Sequence, residues 1–139
     1  MALDMLVWPT RRITIMPTVA TRPDWRDSFQ AMLCRQGLMV TKIHDSPGFI
    51  AQRMLANIVN LGCEIAQQRI ATPTDIDRAV KLGLGYPKGP LEWGTEIGPA
   101  RILEILQNLF EFYGDPRYRP SPWLKRRAIA KLPLHTPDS

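Results

Sequence analysis

Residues Asp45–Ala66 read DSPGFIAQRMLANIVNLGCEIA, and how this stretch folds decides the rest. Asp45-Ser46-Pro47-Gly48 is turn chemistry, and the residues after it are predicted to form one helix from about Phe49 to Gln68. Winding that helix at ~100° per residue gathers Arg53, Asn57, Asn60, Glu64, Gln67 and Gln68 on one polar sector. Met54, Leu55, Ile58, Leu61, Gly62 and Ile65 form a broad opposite face, which suits the central helix of an all-α domain. Gln52 falls outside the polar sector and stacks with Ala56, Val59 and Cys63. Gln52 and Arg53 therefore give a helix built for burial a polar mouth. Such a helix is expected to begin at a seam with another domain and to end inside a helical core.

Working outward toward the C-terminus, the sequence marks four more helices. ATPTDIDRAVKLGLGYPKGP opens with Thr72 as N-cap and Pro73 at the first helical position. Asp75 and Asp77 place negative charge near the positive end of its dipole. Ile76, Ala79 and Val80 are expected to face inward, and Gly83 and Gly85 to stop the helix. YPKGP reads as a rigid turn, with Pro90 starting a short helix through Leu91, Glu92 and Trp93. GPARILEILQNLFEFY carries Ile102, Leu103, Ile105, Leu106, Leu109, Phe110 and Tyr113 at helical spacing, and Gly114-Asp115-Pro116 ends it. Pro120 and Pro122 introduce a last helix, PWLKRRAIAKL, after which His135–Ser139 is expected to fray.

Toward the N-terminus the character changes. RRITIMP (Arg11–Pro17) and LMVTKIH read as short strands. Between them TRPDWRDSFQAMLCRQG reads as a helix with Thr21 as cap, Trp25, Phe29, Met32 and Leu33 at helical spacing, and Gly37 as a left-handed terminator. Two short strands and a helix do not make a stable sheet alone, so this arm resembles the end of a larger α/β unit. The resulting fold class is mainly α: a helical bundle preceded by a short α/β remnant. The organisation is an α/β arm over 1–45, a helical domain over 46–132 and a flexible tail over 133–139.

The totals agree with one globular domain. The chain has 139 residues, of which 45% are apolar and 22% charged. The net charge of +5 permits anionic partners without choosing among them. No apolar run reaches the ~20 residues of a membrane span, and the N-terminus lacks the charged region that opens a signal peptide. Cytoplasm is the expected location, with Cys34 and Cys63 as buried free thiols. Cys34, Cys63, His44 and His135 show no metal-ligand spacing, so no metal is expected.

From DSPGFIAQRMLANIVN onward the residues resemble the C-terminal domain of the 3-hydroxyacyl-CoA dehydrogenase family. TPTDIDRAVKLGLGYPKGPLEW, EIGPARILEIL, YGDPRYRPSPWL and the preceding LMVTKIH agree with it in order and spacing. The resemblance covers about Arg11 to Leu132. It implies a helical domain that mediates homodimerisation and forms one side of an acyl-CoA cleft. The partner it implies is a Rossmann domain that binds NAD and carries a histidine base held by a glutamate. The parent reaction is oxidation of a 3-hydroxyacyl-CoA to the 3-oxo form, in fatty-acid or aromatic-acid breakdown.

The same resemblance shows what this sequence does not carry. There is no G-x-G-x-x-G segment for a dinucleotide pyrophosphate, so no cofactor is expected on this chain. Thr14 falls at the orienting glutamate, and neither His44 nor His135 at the base. The family's asparagine position falls on Gln52, whose amide sits one methylene further out. Thr95 and Pro99 replace acidic residues, and KLPLHTPDS replaces a Gly-rich ending. The chain looks most like the degenerate second copy in two-copy members and is expected to be inactive alone.

Three site residues follow: Gln52 at the catalytic asparagine position, with Arg53 and Lys88 as substrate-binding candidates at the domain seam. Each also has a plainer reading. Arg53 can cap a neighbouring helix, Gln52 can satisfy a backbone group, and Lys88 can belong to a stiff connector. Lys125, Arg126 and Arg127 read as a solvated basic face. Of the four tryptophans, Trp25, Trp93 and Trp123 suit packing and Trp8 suits an interface. Two other classes compete: a free-standing helical dimerisation or docking module, and a nucleic-acid binder. The last is disfavoured because no helix sorts aromatic and basic residues onto one exposed face.

Overall fold

The computed structural model describes residues 1–6 and 11–138, so Trp8 lies outside the described residues. The chain divides into two compact units, 1–52 and 53–139, which join within a helix.

In the first unit, β2 (Arg12–Met16) is the middle strand of a three-stranded sheet. β1 (Ala2–Leu3) pairs antiparallel on one side of it, with Leu3 opposite Ile15. β3 (Met39–Lys42) pairs parallel on the other, from Arg12 opposite Met39 to Ile15 opposite Lys42. Strand alternation sends Ile13 and Ile15 to one face, where they pack with Leu33 of α1 (Pro23–Arg35). α1 ends in a Schellman motif: Leu38 N–H reaches Leu33 O, Gly37 N–H reaches Cys34 O, and Gly37 takes φ +79°.

Three expectations fail in this unit. Thr21 does not cap α1; its Oγ1 accepts from Thr18 N at 2.9 Å, and Arg22 occupies the cap position. Cys34 is exposed rather than buried. Trp25 is 70% exposed and Met32 48%, so of that face Leu33 is buried in the core and Phe29 packs against it half-buried. A three-stranded sheet is too narrow to cover the rest of the helix.

The second unit is helical. α2 (Ala51–Gln67) enters from the first unit; α3 (Pro73–Leu84), α4 (Pro90–Ile97), α5 (Pro99–Tyr113), a 3₁₀ turn (Pro116–Tyr118) and α6 (Pro122–Ala130) follow. α1, α3, α4, α5 and α6 all begin on proline, where a missing N–H removes nothing the helix would use. α2 begins at Ala51 because Gly48 and Phe49 take φ +88° and +44°, which helical backbone cannot accommodate. Gly83 lies inside α3, and the left-handed terminator is Gly85 at φ +67°.

The core face of α2 is not the broad one. Its buried residues are Ala56, Val59, Asn60, Gly62, Cys63 and Ala66, which include Ala56, Val59 and Cys63 of the stripe on which Gln52 stacks. Met54 and Leu61 are 56% and 64% exposed. The physical reason is close approach to α4. A Cβ on Gly62 would sit 2.9 Å from Pro90 Cβ, and one on Gly94 2.5 Å from Val59 Cγ1. Backbones that near admit only small side chains, so Met54 and Leu61 turn outward while Ile65 packs against the edge of the core. Ala79 is likewise exposed while Ile76 is buried. The rest of the core comes from Leu91 of α4, Ile102 and Leu106 of α5, and Trp123 and Leu124 of α6.

The C-terminal segment does not fray over its described residues. Leu134 is fully buried in the core, and its carbonyl accepts from Trp123 Nε1 at 2.9 Å. Among the described residues, no helix is long and apolar enough to cross a membrane.

Candidate functional site

The first turn of α2 places Gln52 and Arg53 on successive positions, and each has its own partners. Within the first unit, Gln52 Nε2 donates to Asp4 Oδ1 at 3.0 Å. Asp4 is fixed in turn: its Oδ1 accepts from Leu6 N at 3.1 Å, and its N–H pairs with Thr14 O at 3.0 Å. The Gln52 amide thus grips the short arm ahead of β2. Thr14 lies opposite Thr41 on the paired strands β2 and β3.

Within the second unit, Arg53 enters a basic–aromatic cluster. Its Nη2 donates to Tyr113 Oη at 2.7 Å. Its guanidinium carbon lies 5.0 Å from the Tyr113 ring centre and 6.0 Å from that of Tyr118. Arg117 approaches Tyr118 to 5.9 Å. These are cation–π distances and hold the guanidinium's plane in place. Tyr113 comes from α5 and Tyr118 from the 3₁₀ turn, so three segments build the cluster. The helical spacing of Tyr113 was the available signal; Tyr118 had none.

Lys88 is not gathered with Arg53. From the turn that opens α4, it forms an ion pair with Glu96 near the end of that helix. The turn itself is organised by Asp77, which the sequence reading placed near the α3 dipole. Asp77 is instead buried, and accepts from Leu91 N at 2.8 Å through Oδ1 and from Glu92 N at 3.0 Å through Oδ2. It therefore caps α4 from another helix. Glu92 completes the cap by accepting from Gly89 N. That bond, with Lys81 second, holds its carboxyl below the usual range.

Two polar residues read as solvated are buried. Asn60 accepts from Ser121 N at 2.8 Å and donates to Arg119 O at 3.0 Å. Arg127 is 3% exposed, with its guanidinium carbon 3.2 Å from the Trp123 ring centre. It donates through Nε to Thr136 O at 2.8 Å and pairs with Asp138 at 3.1 Å. Burial lowers its pKa and the Asp138 contact opposes that. The Lys125–Arg127 run is therefore not one exposed basic face, because Arg127 points inward. A surface groove lined by Arg69, Ile70, Pro73, Trp123 and Asp138 contains none of Gln52, Arg53 or Lys88.

The residues present do not fit a dinucleotide. In a parallel α/β unit its pyrophosphate rests on the glycine-rich turn between strand and helix. Here that turn, 17–22, reads PTVATR without a glycine. Thr18 and Thr21 bond one another, and Asp24 adds negative charge to the first turn of α1.

Fold and contacts define a helical unit that follows, in chain order, a small mixed sheet with one helix. The chain belongs to the 3-hydroxyacyl-CoA dehydrogenase C-terminal domain family, which it matches over residues 48–134. It is 44% identical over 97 residues to 3-hydroxyadipyl-CoA dehydrogenase of Escherichia coli K12, covering 70% of this chain and 20% of the relative. It is 30% identical over 114 residues to a probable 3-hydroxybutyryl-CoA dehydrogenase of Bacillus subtilis, covering 82% and 40%. The crystal structure of an E. coli K12 3-hydroxybutyryl-CoA dehydrogenase superposes with TM-score 0.80 at 38% identity, over 86% of this chain and 25% of that one. The chain thus spans a fifth to two fifths of the curated relatives it matches here.

Proposed function

We propose that this chain supplies the helical C-terminal part of an NAD-dependent 3-hydroxyacyl-CoA dehydrogenase. In this reading NAD and the histidine base belong to a Rossmann domain, and this chain shapes one side of the acyl-CoA cleft and self-associates. The observation that carries it is the family match over residues 48–134, seen with relatives two and a half to five times longer than the matched share. The substrates in the relatives' names, 3-hydroxyadipyl-CoA and 3-hydroxybutyryl-CoA, favour short or polar acyl groups.

Gln52 is the contact toward the partner domain, and its bond to Asp4 supports a positioning role over catalysis. Arg53 and Lys88 are the substrate-side cations. Self-association is supported by the apolar residues that α2 and α5 leave exposed, Met54, Leu61 and Phe112. A cytoplasmic location is supported by two unpaired cysteines.

The purified chain, mixed with acetoacetyl-CoA and NADH and followed by absorbance, is expected to give no turnover. Adding a Rossmann domain from a relative is expected to restore binding of acetoacetyl-CoA. Turnover by the chain alone overturns the division of labour.

A further inference from the structure

The C-terminal strap touches α4 near its end and reaches the start of α4 through Asp77 of α3. Near the end of α4, Thr95 Oγ1 accepts from Leu134 N at 3.1 Å. Next to it, Gly94 lacks the Cβ that would collide with the Leu134 side chain. At the start of α4, His135 Nε2 lies 2.7 Å from Asp77 Oδ2. That is the oxygen which accepts from Glu92 N. One buried carboxylate therefore serves two elements: it caps α4, and it anchors a histidine 58 residues away in sequence. Thr136 and Asp138 extend the hold to Arg127 on α6.

We propose that the strap Leu134–Asp138 is a control arm for the start of α4 and for the Tyr86–Gly89 turn that carries Lys88. The physical link is Asp77. With His135 bonded, its side chain has one orientation that also meets Leu91 and Glu92. Gly89 packs so tightly on Asp77 that a Cβ there has no room, so a rotated carboxylate displaces the turn. Releasing the strap frees Asp77 to follow solvent, and the α4 cap opens with it. The turn then places Lys88 according to whether the strap is closed, whatever ligand that lysine meets. His135 is a positioning residue in this device.

Amide exchange on the full chain, read by NMR at the Leu91, Glu92 and Leu134 N–H groups, tests the coupling. In the wild type these three amides are expected to open together, within about threefold of one another. His135→Ala is expected to speed all three by about tenfold or more while leaving Ile102–Leu109 unchanged. His135→Gln, which keeps an N–H donor at nearly the same reach, is expected to restore most of the protection. If His135→Ala speeds Leu134 but leaves Leu91 and Glu92 at wild-type protection, the strap is a passive flap and the proposal fails. Should His135→Ala not fold, the wild-type chain decides. Leu134 opening more than about tenfold more often than Leu91 and Glu92 overturns the coupling.

Discussion

Gly62 and Pro90 bring α2 and α4 together at a distance that leaves no room for a methyl group. A Cβ on Gly62 would lie 2.9 Å from Pro90 Cβ and 3.0 Å from its Cγ. Gly62→Ala gains about 1 kcal/mol of helix propensity. It also overpacks the contact, at a cost of about 1–3 kcal/mol. A proline ring cannot rotate away, and Pro90 fixes the first turn of α4, so the second effect wins. Gly62→Ala is expected to lower the urea midpoint by a net loss of up to about 2 kcal/mol with an unchanged denaturant slope. A variant as stable as the wild type would show that α4 can slide.

Asn60 ties the Pro120-Ser121-Pro122 segment to the core. The flanking prolines donate no N–H, so Ser121 N is the one backbone donor in that run, and it is wholly buried against Asn60 Oδ1. Asn60→Ala strands that donor and the Arg119 carbonyl, which costs about 2–3 kcal/mol. Asn57 is the control. It donates only to Arg53 O on its own helix, and Asn57→Ala is expected to stay within about 0.5 kcal/mol. Equal losses for the two variants would remove any special role for Asn60.

Asn60 also shows where sequence reading stops. Helix existence was legible: Pro23, Pro73, Pro90 and Pro122 marked their helices, and Thr72 and Gly37 behave as read, because caps and terminators are local. The buried side of α2 was not legible. Periodicity separates polar from apolar, but it cannot tell that two backbones will close to glycine contact and exclude Leu61 from the core. Arg127 and Asp77 were missed for a related reason. Their burial depends on the strap and on α4, elements 9 and 14 residues away in chain. At the candidate site, Gln52 and Arg53 were found as a polar mouth. Their partners Asp4, Tyr113 and Tyr118 come from distant segments that no spacing rule joins.

The outward face of α2 makes a prediction about assembly. Leu61 is 64% exposed and shares its helix with exposed Met54. In a dimer built on this face, Leu61→Arg buries an unpaired charge and is expected to shift light-scattering mass from dimer to monomer. Because Leu61 lies outside the core, thermal stability of the monomer is expected to change by less than about 0.5 kcal/mol. A wild-type chain that stays strictly monomeric at high concentration would contradict self-association directly.

The two cysteines give opposite expectations for thiol chemistry. Cys34 is exposed on α1, whereas Cys63 is fully buried in the α2 core. Burial pushes the Cys63 thiol up to about 12, because a thiolate there would have no water. A disulfide reagent at pH 8 is therefore expected to titrate one thiol per native chain quickly and the second only after denaturant is added. The pH dependence follows with a definite sign. A thiol whose folded pKa lies above its ordinary 9.0 is protonated in the folded state when the unfolded chain has already ionised. The folded state then holds more protons, so stability is intact below about pH 9 and declines as pH rises toward 12. Cys63→Ala is expected to flatten that alkaline decline while losing some packing at neutral pH. An unchanged alkaline slope in Cys63→Ala would assign the decline to another group.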